Sequence, residues 1–193
     1  MSTVTTSTPF EKIRSWFARR AVGALWASAL VGGAVIAGEP PAVTTVIIVR
    51  HAEKDLGVPE DPPLSAVGRE RSNALERVLR DRAVSAVYAS DTRRARETAQ
   101  PLAHRRGLEP IEYPGRAIET LVETLLRDQR GKTVVVVGHS NTVPELVHRL
   151  TDGRESVTLR DDEFDALFIV ARPVTGVPIL TRESYTITST ISD

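Results

Sequence analysis

The sequence lacks cysteine, and it lacks an excess of either charge. Without cysteine the chain can form no disulfide, no thiolate metal site and no cysteine nucleophile. Its 25 basic residues equal its 25 acidic residues, so no positive field is present that would attract a nucleic acid. What is present fits one globular domain, because 41% of the 193 residues are hydrophobic and 26% are charged.

The first 37 residues differ from the rest of the chain in composition. Residues 1–20 are polar with four basic side chains, and residues 21–37, AVGALWASALVGGAVIA, are uncharged and mostly apolar. This order predicts a secretory signal peptide that ends near Ala37. An uncleaved membrane anchor stays open, because the apolar segment is slightly long for a signal and short for a spanning helix. We therefore expect a periplasmic or extracellular protein, or a membrane-anchored one if residues 1–37 are retained.

After a linker at residues 38–42, strand and helix patterns alternate through a domain at residues 43–193. The apolar runs at 43–49 and 133–138 have no polar alternation, which is typical of strands buried on both faces. Further strands are predicted at 83–90 and 109–113, outer strands at 161–172 and 178–187, and helices at 65–81, 91–107, 117–131 and 141–150. The alternation predicts an α/β fold, a three-layer α/β/α sandwich with a mostly parallel central sheet.

Two of the predicted helices carry a clear apolar stripe. Ser65 is placed to cap the first helix, in which Leu75, Val78 and Leu79 share a face. In the third helix, apolar residues repeat at i, i+3, i+4, i+7 and i+8, and Gly131 follows as a stop. These apolar residues are Ile118, Leu121, Val122, Leu125 and Leu126. Each stripe predicts the side of its helix that packs on the sheet.

Polar side chains follow three of the predicted strands. Arg50 and His51 end the first strand, Ser90 ends the second with Arg94 in the next helical turn, and His139 follows the fourth. In parallel sheets, ligands bind beyond the carboxyl ends of the strands. We therefore expect two histidines and at least two arginines to converge on one edge of the sheet.

Histidines and arginines together favour phosphate chemistry. The planar guanidinium binds phosphate oxygens bidentately, and an imidazole can act as a nucleophile or a proton carrier. Neighbouring positive charge disfavours the imidazolium, so one histidine is expected to be neutral with a lone pair for phosphorus. The arginines and a protonated second histidine would then hold the equatorial oxygens. The pattern predicts covalent phosphoryl transfer through phosphohistidine.

Four stretches together resemble the histidine phosphatase superfamily, with its phosphoglycerate mutase-like fold: VRHAEK, LSAVGRERSNAL, YASDTRRARETAQPLA and VVVVGHSNTVPELV. The resemblance runs from about Val43 to the end of the chain, and the short chain is similar to small bacterial phosphohistidine-phosphatase-like members. It implies His51 as the phosphorylated nucleophile and Arg50 as its phosphate-binding neighbour. It further implies Arg94 as the arginine of the second motif and His139 as the second histidine of the phosphate pocket.

The sequence also departs from the family pattern. Ala52 stands where the family usually has glycine. Lys54 is either a further phosphate contact or a solvated side chain. Ser140 and Asn141 are the other candidate substrate-binding residues. Glu112 lies nearest to the place where many members carry the leaving-group acid. The alternative for Glu112 is a structural strand residue that faces away from the site.

We therefore expect a metal-independent phosphatase for phosphomonoesters or protein phosphohistidine, working outside the cytoplasm without a cofactor. A zinc site at His51 and His139 would need a third ligand, and the arginines would repel the cation. The alternative function is a catalytically weak module that binds a phosphorylated ligand. The expected partner is a phosphorylated small molecule or phosphoprotein, with no nucleic acid, and a membrane only through an uncleaved amino terminus. Substrate choice is expected to depend on loops 55–63 and 113–116.

Overall fold

The computed structural model describes residues 42–186. The predicted signal peptide, most of the linker and residues 187–193 lie outside these described residues. The described elements, in chain order, are β1 (Val43–Arg50), α1 (Ala66–Leu79), β2 (Val84–Ser90), α2 (Arg93–Arg105), β3 (Ile111–Tyr113), α3 (Ile118–Asp128), β4 (Thr133–Gly138), α4 (Thr142–Leu150), β5 (Ala166–Pro173) and β6 (Ile179–Ser184). Among these helices, none is both long enough and apolar enough to cross a membrane.

The six strands form one sheet in the order β3-β2-β4-β1-β5-β6. The first four strands in this order are parallel, and β5 and β6 are antiparallel to their neighbours. The predicted α/β fold with a mostly parallel sheet is confirmed. β1 and β4 are adjacent, and Arg50 is in register with Gly138. The chain segments that follow these two strands therefore start side by side.

Alternate residues of the central strands point to opposite faces of the sheet, and each face has its own helix pair. Ile47 and Val135 contribute to the core that includes Leu75 of α1 and Leu102 of α2. On the other face, buried side chains of β1 and β4 join those of α3 and α4; this core includes Val46, Ile48, Val134, Val136, Ile118, Leu121, Leu146 and Leu150. Both faces of β1 and β4 are covered, which explains their unbroken apolar runs.

The apolar stripe of α1 differs in one position from the prediction. Ser65 caps the helix as expected, with its side chain accepting from the Gly68 backbone N–H. Leu75 and Leu79 are fully buried, but Val78 is 47% exposed. The buried stripe follows Gly68, Ser72, Leu75 and Leu79, and Val78 lies at its margin. A Cβ at residue 68 would stand 2.1 Å from the Glu53 carbonyl oxygen, so glycine lets α1 approach the backbone just beyond His51.

The third helix ends earlier than predicted. α3 stops at Asp128, and Gly131 lies in the turn to β4 with φ +71°. Leu125 is fully buried, whereas Leu126 is only partly buried against the same core. The periodic stripe thus predicted the helix and its packed face correctly, but the predicted end at residue 131 lies beyond the observed end at Asp128.

Candidate active site

A pocket of about 650 Å³ lies beyond the carboxyl ends of β1, β2, β3 and β4. Its lining is rich in basic and polar side chains: Arg50, His51, Lys54, Asp91, Thr92, Arg94, Pro114, Gly115, Arg116, His139, Ser140, Asn141, Thr142 and Phe164. The four residues expected to converge, and the three candidate substrate-binding residues, all line this pocket. Glu112 does not.

His51 is held in one tautomer by its neighbours. Its Nδ1 lies 2.8 Å from the Ala52 carbonyl oxygen, which can only accept, so Nδ1 carries the proton. The Arg94 Nε–H donates to His51 Nε2 at 3.2 Å, so Nε2 presents its lone pair. Burial, followed by the positive charges around it, lowers the pKa of His51 to about 3. The ring is therefore neutral at pH 7, with a nucleophilic nitrogen on the Arg94 side.

His139 lies beside His51, with 5.1 Å between ring centroids. Its Nε2 is 2.7 Å from the Ser90 hydroxyl oxygen, and its backbone N–H donates to Thr142 Oγ1. Burial, and then the charge of Arg94, lowers the pKa of His139 to about 4. The surroundings thus favour a neutral His139 rather than the protonated second histidine expected from the sequence. A phosphate dianion would raise this pKa, in the same direction as the nearby carboxylate of Asp91.

Arg50 is fixed by a loop far away in the sequence. Its Nη1 donates to the backbone carbonyls of Arg160, Asp161 and Glu163 at 2.9–3.2 Å. Its guanidinium carbon stands 4.1 Å from the centre of the Phe164 ring, a cation–π contact. The Arg50 Nε is buried and has no hydrogen-bond partner within the described part of the chain. A buried donor of this kind fits a ligand that supplies an acceptor oxygen.

A buried hydroxyl links the two motifs that carry His51 and Arg94. Thr98 Oγ1 accepts from the Ala52 backbone N–H at 3.0 Å and donates to the Arg94 carbonyl at 2.7 Å. The carbonyl oxygen of the same residue, Ala52, accepts from the His51 ring. Thr98 therefore sets the position of helix α2 against the segment after β1, and with it the Arg94–His51 contact. Sequence reasoning placed Thr98 in a motif but gave it no role.

Glu112 lies outside the pocket. Glu112 is exposed on the short edge strand β3, and it pairs with Arg96 at 3.5 Å instead of facing the pocket. The structural alternative for this residue fits its place. Asp91 is the acidic side chain that lines the pocket, and its Oδ1 accepts from the Gly115 backbone N–H at 3.1 Å. Its position directly after the end of β2 is the sequence signal that could have indicated it.

Lys54 and Arg116 extend the positive lining of the pocket, and both are exposed. Lys54 is anchored through its backbone, which bridges to Leu64. Within residues 42–186, no cluster of three or more histidine, aspartate or glutamate side chains could hold a metal ion. The donor set at the pocket instead suits an anion: guanidinium groups, an ammonium group and imidazoles.

Comparisons with known proteins agree with the fold and the motifs. A family model described as the histidine phosphatase superfamily, branch 1, matches residues 46–119, which include Arg50, His51 and Arg94. No curated protein matches the sequence.

Solved structures match over nearly their whole length. The chain is similar to a protein histidine phosphatase, SixA, complexed with tungstate: 21% identity, TM-score 0.62, covering 72% of this chain and 96% of that chain. A mycobacterial glucosyl-3-phosphoglycerate phosphatase matches at 16% identity and TM-score 0.56, covering 75% and 100%. A phosphoglycerate mutase from Plasmodium falciparum matches at 18% and 0.54, covering 79% and 99%. At these identities the structures show the fold, and the family model supplies the motifs. The chain is thus similar to the histidine phosphatase superfamily over residues 46–119, and it shares its fold with the solved structures over most of their length.

Proposed function

We propose that the protein is a phosphatase that forms a covalent phosphohistidine on His51, acting on phosphomonoesters or protein phosphohistidine. The observation that carries this proposal is the neutral His51 ring, whose Nε2 lone pair meets the Arg94 Nε–H in a pocket lined by cations. When phosphate oxygens take over the Arg94 hydrogen bond, the lone pair is released for attack on phosphorus. The other ring nitrogen keeps its proton on the Ala52 carbonyl.

The reaction proceeds in two displacements. A substrate that binds as the phosphate monoanion first gives its proton to the Asp91 carboxylate. His51 Nε2 then attacks phosphorus, the bond to the leaving group breaks, and the leaving group takes this proton from Asp91. Water then attacks phosphorus and gives a proton back to Asp91, while the P–N bond breaks and its electron pair returns to Nε2. Because Nδ1 stays protonated, the phosphorylated ring is cationic. When the P–N bond breaks, the ring therefore departs from phosphorus as a neutral imidazole. Arg50, Arg94 and His139 stabilise the charge on the transferring oxygens.

The proposal includes no metal ion, because the basic side chains take the place of a divalent cation at the phosphoryl oxygens. Activity should therefore survive chelators, and inorganic phosphate, vanadate or tungstate should inhibit competitively. Activity that appears only when zinc is added would overturn this part of the proposal. The similarity to a protein histidine phosphatase supports phosphohistidine as one substrate, and the similarity to a glucosyl-3-phosphoglycerate phosphatase supports small phosphate esters.

The test of the proposed activity is turnover with trapping. Hydrolysis of para-nitrophenyl phosphate at neutral pH separates an enzyme from a module that only binds phosphorylated ligands. Quenching with labelled substrate, without acid, should leave an acid-labile, alkali-stable phosphate on the peptide that contains His51. Phosphate binding without turnover would favour the weak binding module instead.

We also propose that the protein is exported, on the strength of the basic and then apolar composition of residues 1–37. Fractionation of cells, followed by amino-terminal sequencing of the purified protein, tests this point. A mature chain that begins near residue 38 outside the cytoplasm is the expected result. A protein that keeps residues 1–37 and partitions with the membrane would establish the anchor, and a full-length cytoplasmic protein would contradict export.

A further inference from the structure

The pocket carries more positive charge than a phosphoryl group can balance. Four basic residues line it, Arg50, Lys54, Arg94 and Arg116, against the single carboxylate of Asp91. Both lining histidines are neutral at pH 7. A phosphate monoester brings roughly two negative charges near neutral pH, so a positive charge remains after it binds. A pocket of about 650 Å³ is also in the size range that encloses a small ligand, rather than phosphate alone.

The basic side chains differ in whether their charge is already engaged. Arg50 is fixed by the loop at 160–164. Arg94 contacts His51 and, at 3.9 Å, the carboxylate of Asp61. Arg116 and Lys54 have no hydrogen-bond or ion-pair partner for their side chains among residues 42–186. By contrast, Arg93 and Arg96 on the adjoining helix pair with Glu97 and Glu112. Among the basic side chains that line the pocket, Lys54 and Arg116 are thus the two whose charged groups form no ion pair or hydrogen bond with another described residue.

Arg116 stands on the side of the pocket away from His51. It follows β3, and β3 is separated from β1 by β2 and β4. The turn before it borders the site, since a Cβ at Gly115 would stand 3.8 Å from His139 Nε2. Its backbone is held nonetheless: the Gly115 N–H donates to Asp91, and the Ala117 N–H donates to the Pro114 carbonyl in the same turn. A fixed backbone with an unpaired, bidentate side chain is suited to receive an anion.

We infer that Arg116 forms a subsite for a second anionic group, a carboxylate or a second phosphate, on the leaving group of the substrate. Lys54 adds to the positive potential from the β1 side. The inference rests on the proposed phosphatase function and narrows its substrates to phosphorylated acids. The same chemistry has two sources: a small phosphorylated acid, or an acidic residue next to a phosphohistidine in a protein.

The test compares two matched substrates, 3-carboxyphenyl phosphate and its neutral counterpart 3-carbamoylphenyl phosphate. The wild-type protein should favour the carboxylate by roughly tenfold in kcat/KM, as expected for a charge-assisted contact at an exposed side chain. Arg116→Gln should bring this ratio close to one, Arg116→Glu should invert it, and added salt should reduce it in the wild type. Arg154→Gln, which removes an exposed arginine outside the pocket, is the matched control and should keep the wild-type ratio.

A second arm uses phosphohistidine peptides with an acidic or a neutral flanking residue. A preference for the carboxylate in the aryl pair alone assigns the subsite to small phosphorylated acids. A preference for the acidic flanking residue in the peptides assigns it to proteins. Either result supports the inference. Equal rates within both pairs, unchanged by Arg116→Gln, would overturn it while leaving the phosphatase function intact. If no substrate turns over, the proposed function fails, and the subsite is still decided by calorimetry with 3-carboxyphenyl and 3-carbamoylphenyl phosphonates. Equal affinities would then reject it.

Discussion

The two ends of the pocket are built differently. At the phosphoryl end, formed by Arg50, His51, Arg94 and His139, each side chain contacts a named group of another element, and the ends of β1 and β4 support the site. The leaving-group end is formed by Asp91, Gly115 and Arg116. These residues lie in loops, and Arg116 is exposed. The difference fits the proposed function, in which the sheet would fix the reacting groups and the loops, which can vary without disturbing them, would set substrate choice.

The largest effect should come from the nucleophile. His51→Ala should lower kcat by at least about 10⁴-fold, because no other group can form the covalent intermediate. Phosphate binding, measured by calorimetry, should persist because Arg50 and Arg94 remain. Hydrolysis close to the wild-type rate in this variant would show that the phosphoryl end does not work through His51.

His139 should matter less, because it stabilises charge and does not form a bond to phosphorus. We expect His139→Ala to slow turnover by roughly 10²–10³-fold, the usual cost of one lost donor to a developing oxyanion. Peptide mapping after quenching should still find the label on His51. A label on His139 in the wild-type protein would reverse the assignment of the two rings.

The residues of the site differ in how well their positions could be predicted from the sequence. The ends of the strands can be predicted because the apolar runs are continuous. The proximity of His51 and His139 was therefore predictable from β1 and β4. The hydrogen bonds of Arg50 were not predictable from the sequence. They go to backbone carbonyls more than 100 positions away, and every residue type carries the same carbonyl. The direction in which Glu112 faces could not be predicted for a related reason. With three residues in β3, the pattern cannot reveal which side chain faces the pocket.

The buried histidines should also make stability depend on pH. The pKa of His51 falls to about 3 and that of His139 to about 4, against about 6.5 for histidine in an unfolded chain. As the pH falls below 6.5, the unfolded state therefore binds protons first, and the folded state loses stability. Between pH 7 and 5 we expect each histidine to lower the free energy of unfolding by about 2 kcal/mol, roughly 4 kcal/mol for the pair, measured with urea. His51→Gln and His139→Gln should each flatten this slope; a slope that the two variants leave unchanged would assign it to other groups.

Thr98 tests whether the phosphoryl end depends on positioning as well as on the reacting groups. Thr98→Val keeps the shape of the side chain and removes its bonds to the Ala52 N–H and the Arg94 carbonyl. We expect a loss of roughly tenfold in kcat, since small displacements of a reacting group are costly. The acid limb of the kcat/KM profile should also shift, because Thr98 positions Ala52, whose carbonyl holds the His51 tautomer. Thr98→Ser should restore both.

The matched control for Thr98 is Ser72. Its hydroxyl is also buried between α1 and α2, where it donates to the carbonyls of Glu97 and Thr98. Ser72→Ala should reduce the free energy of unfolding about as much as Thr98→Val does. It should leave kcat and the pH profile near wild type, because the Ser72 hydroxyl bonds to carbonyls of α2 and not to the segment that carries His51. Equal losses of kcat in both variants would mean that Thr98 acts only through stability.

The smallest effects should appear at the leaving-group end, where two carboxylates can be compared. Asp91 lines the pocket, whereas Glu112 pairs with Arg96 outside it. Asp91→Asn should slow the hydrolysis of alkyl phosphates, which need a proton on the departing oxygen, by roughly tenfold. It should affect para-nitrophenyl phosphate much less, because that leaving group departs as a stable anion. Glu112→Gln should change neither rate by more than about twofold, since it removes one exposed ion pair. If Glu112→Gln instead selectively slowed the alkyl phosphates, the proton would come from β3, and the acid would have to reach the pocket by a movement of that edge strand.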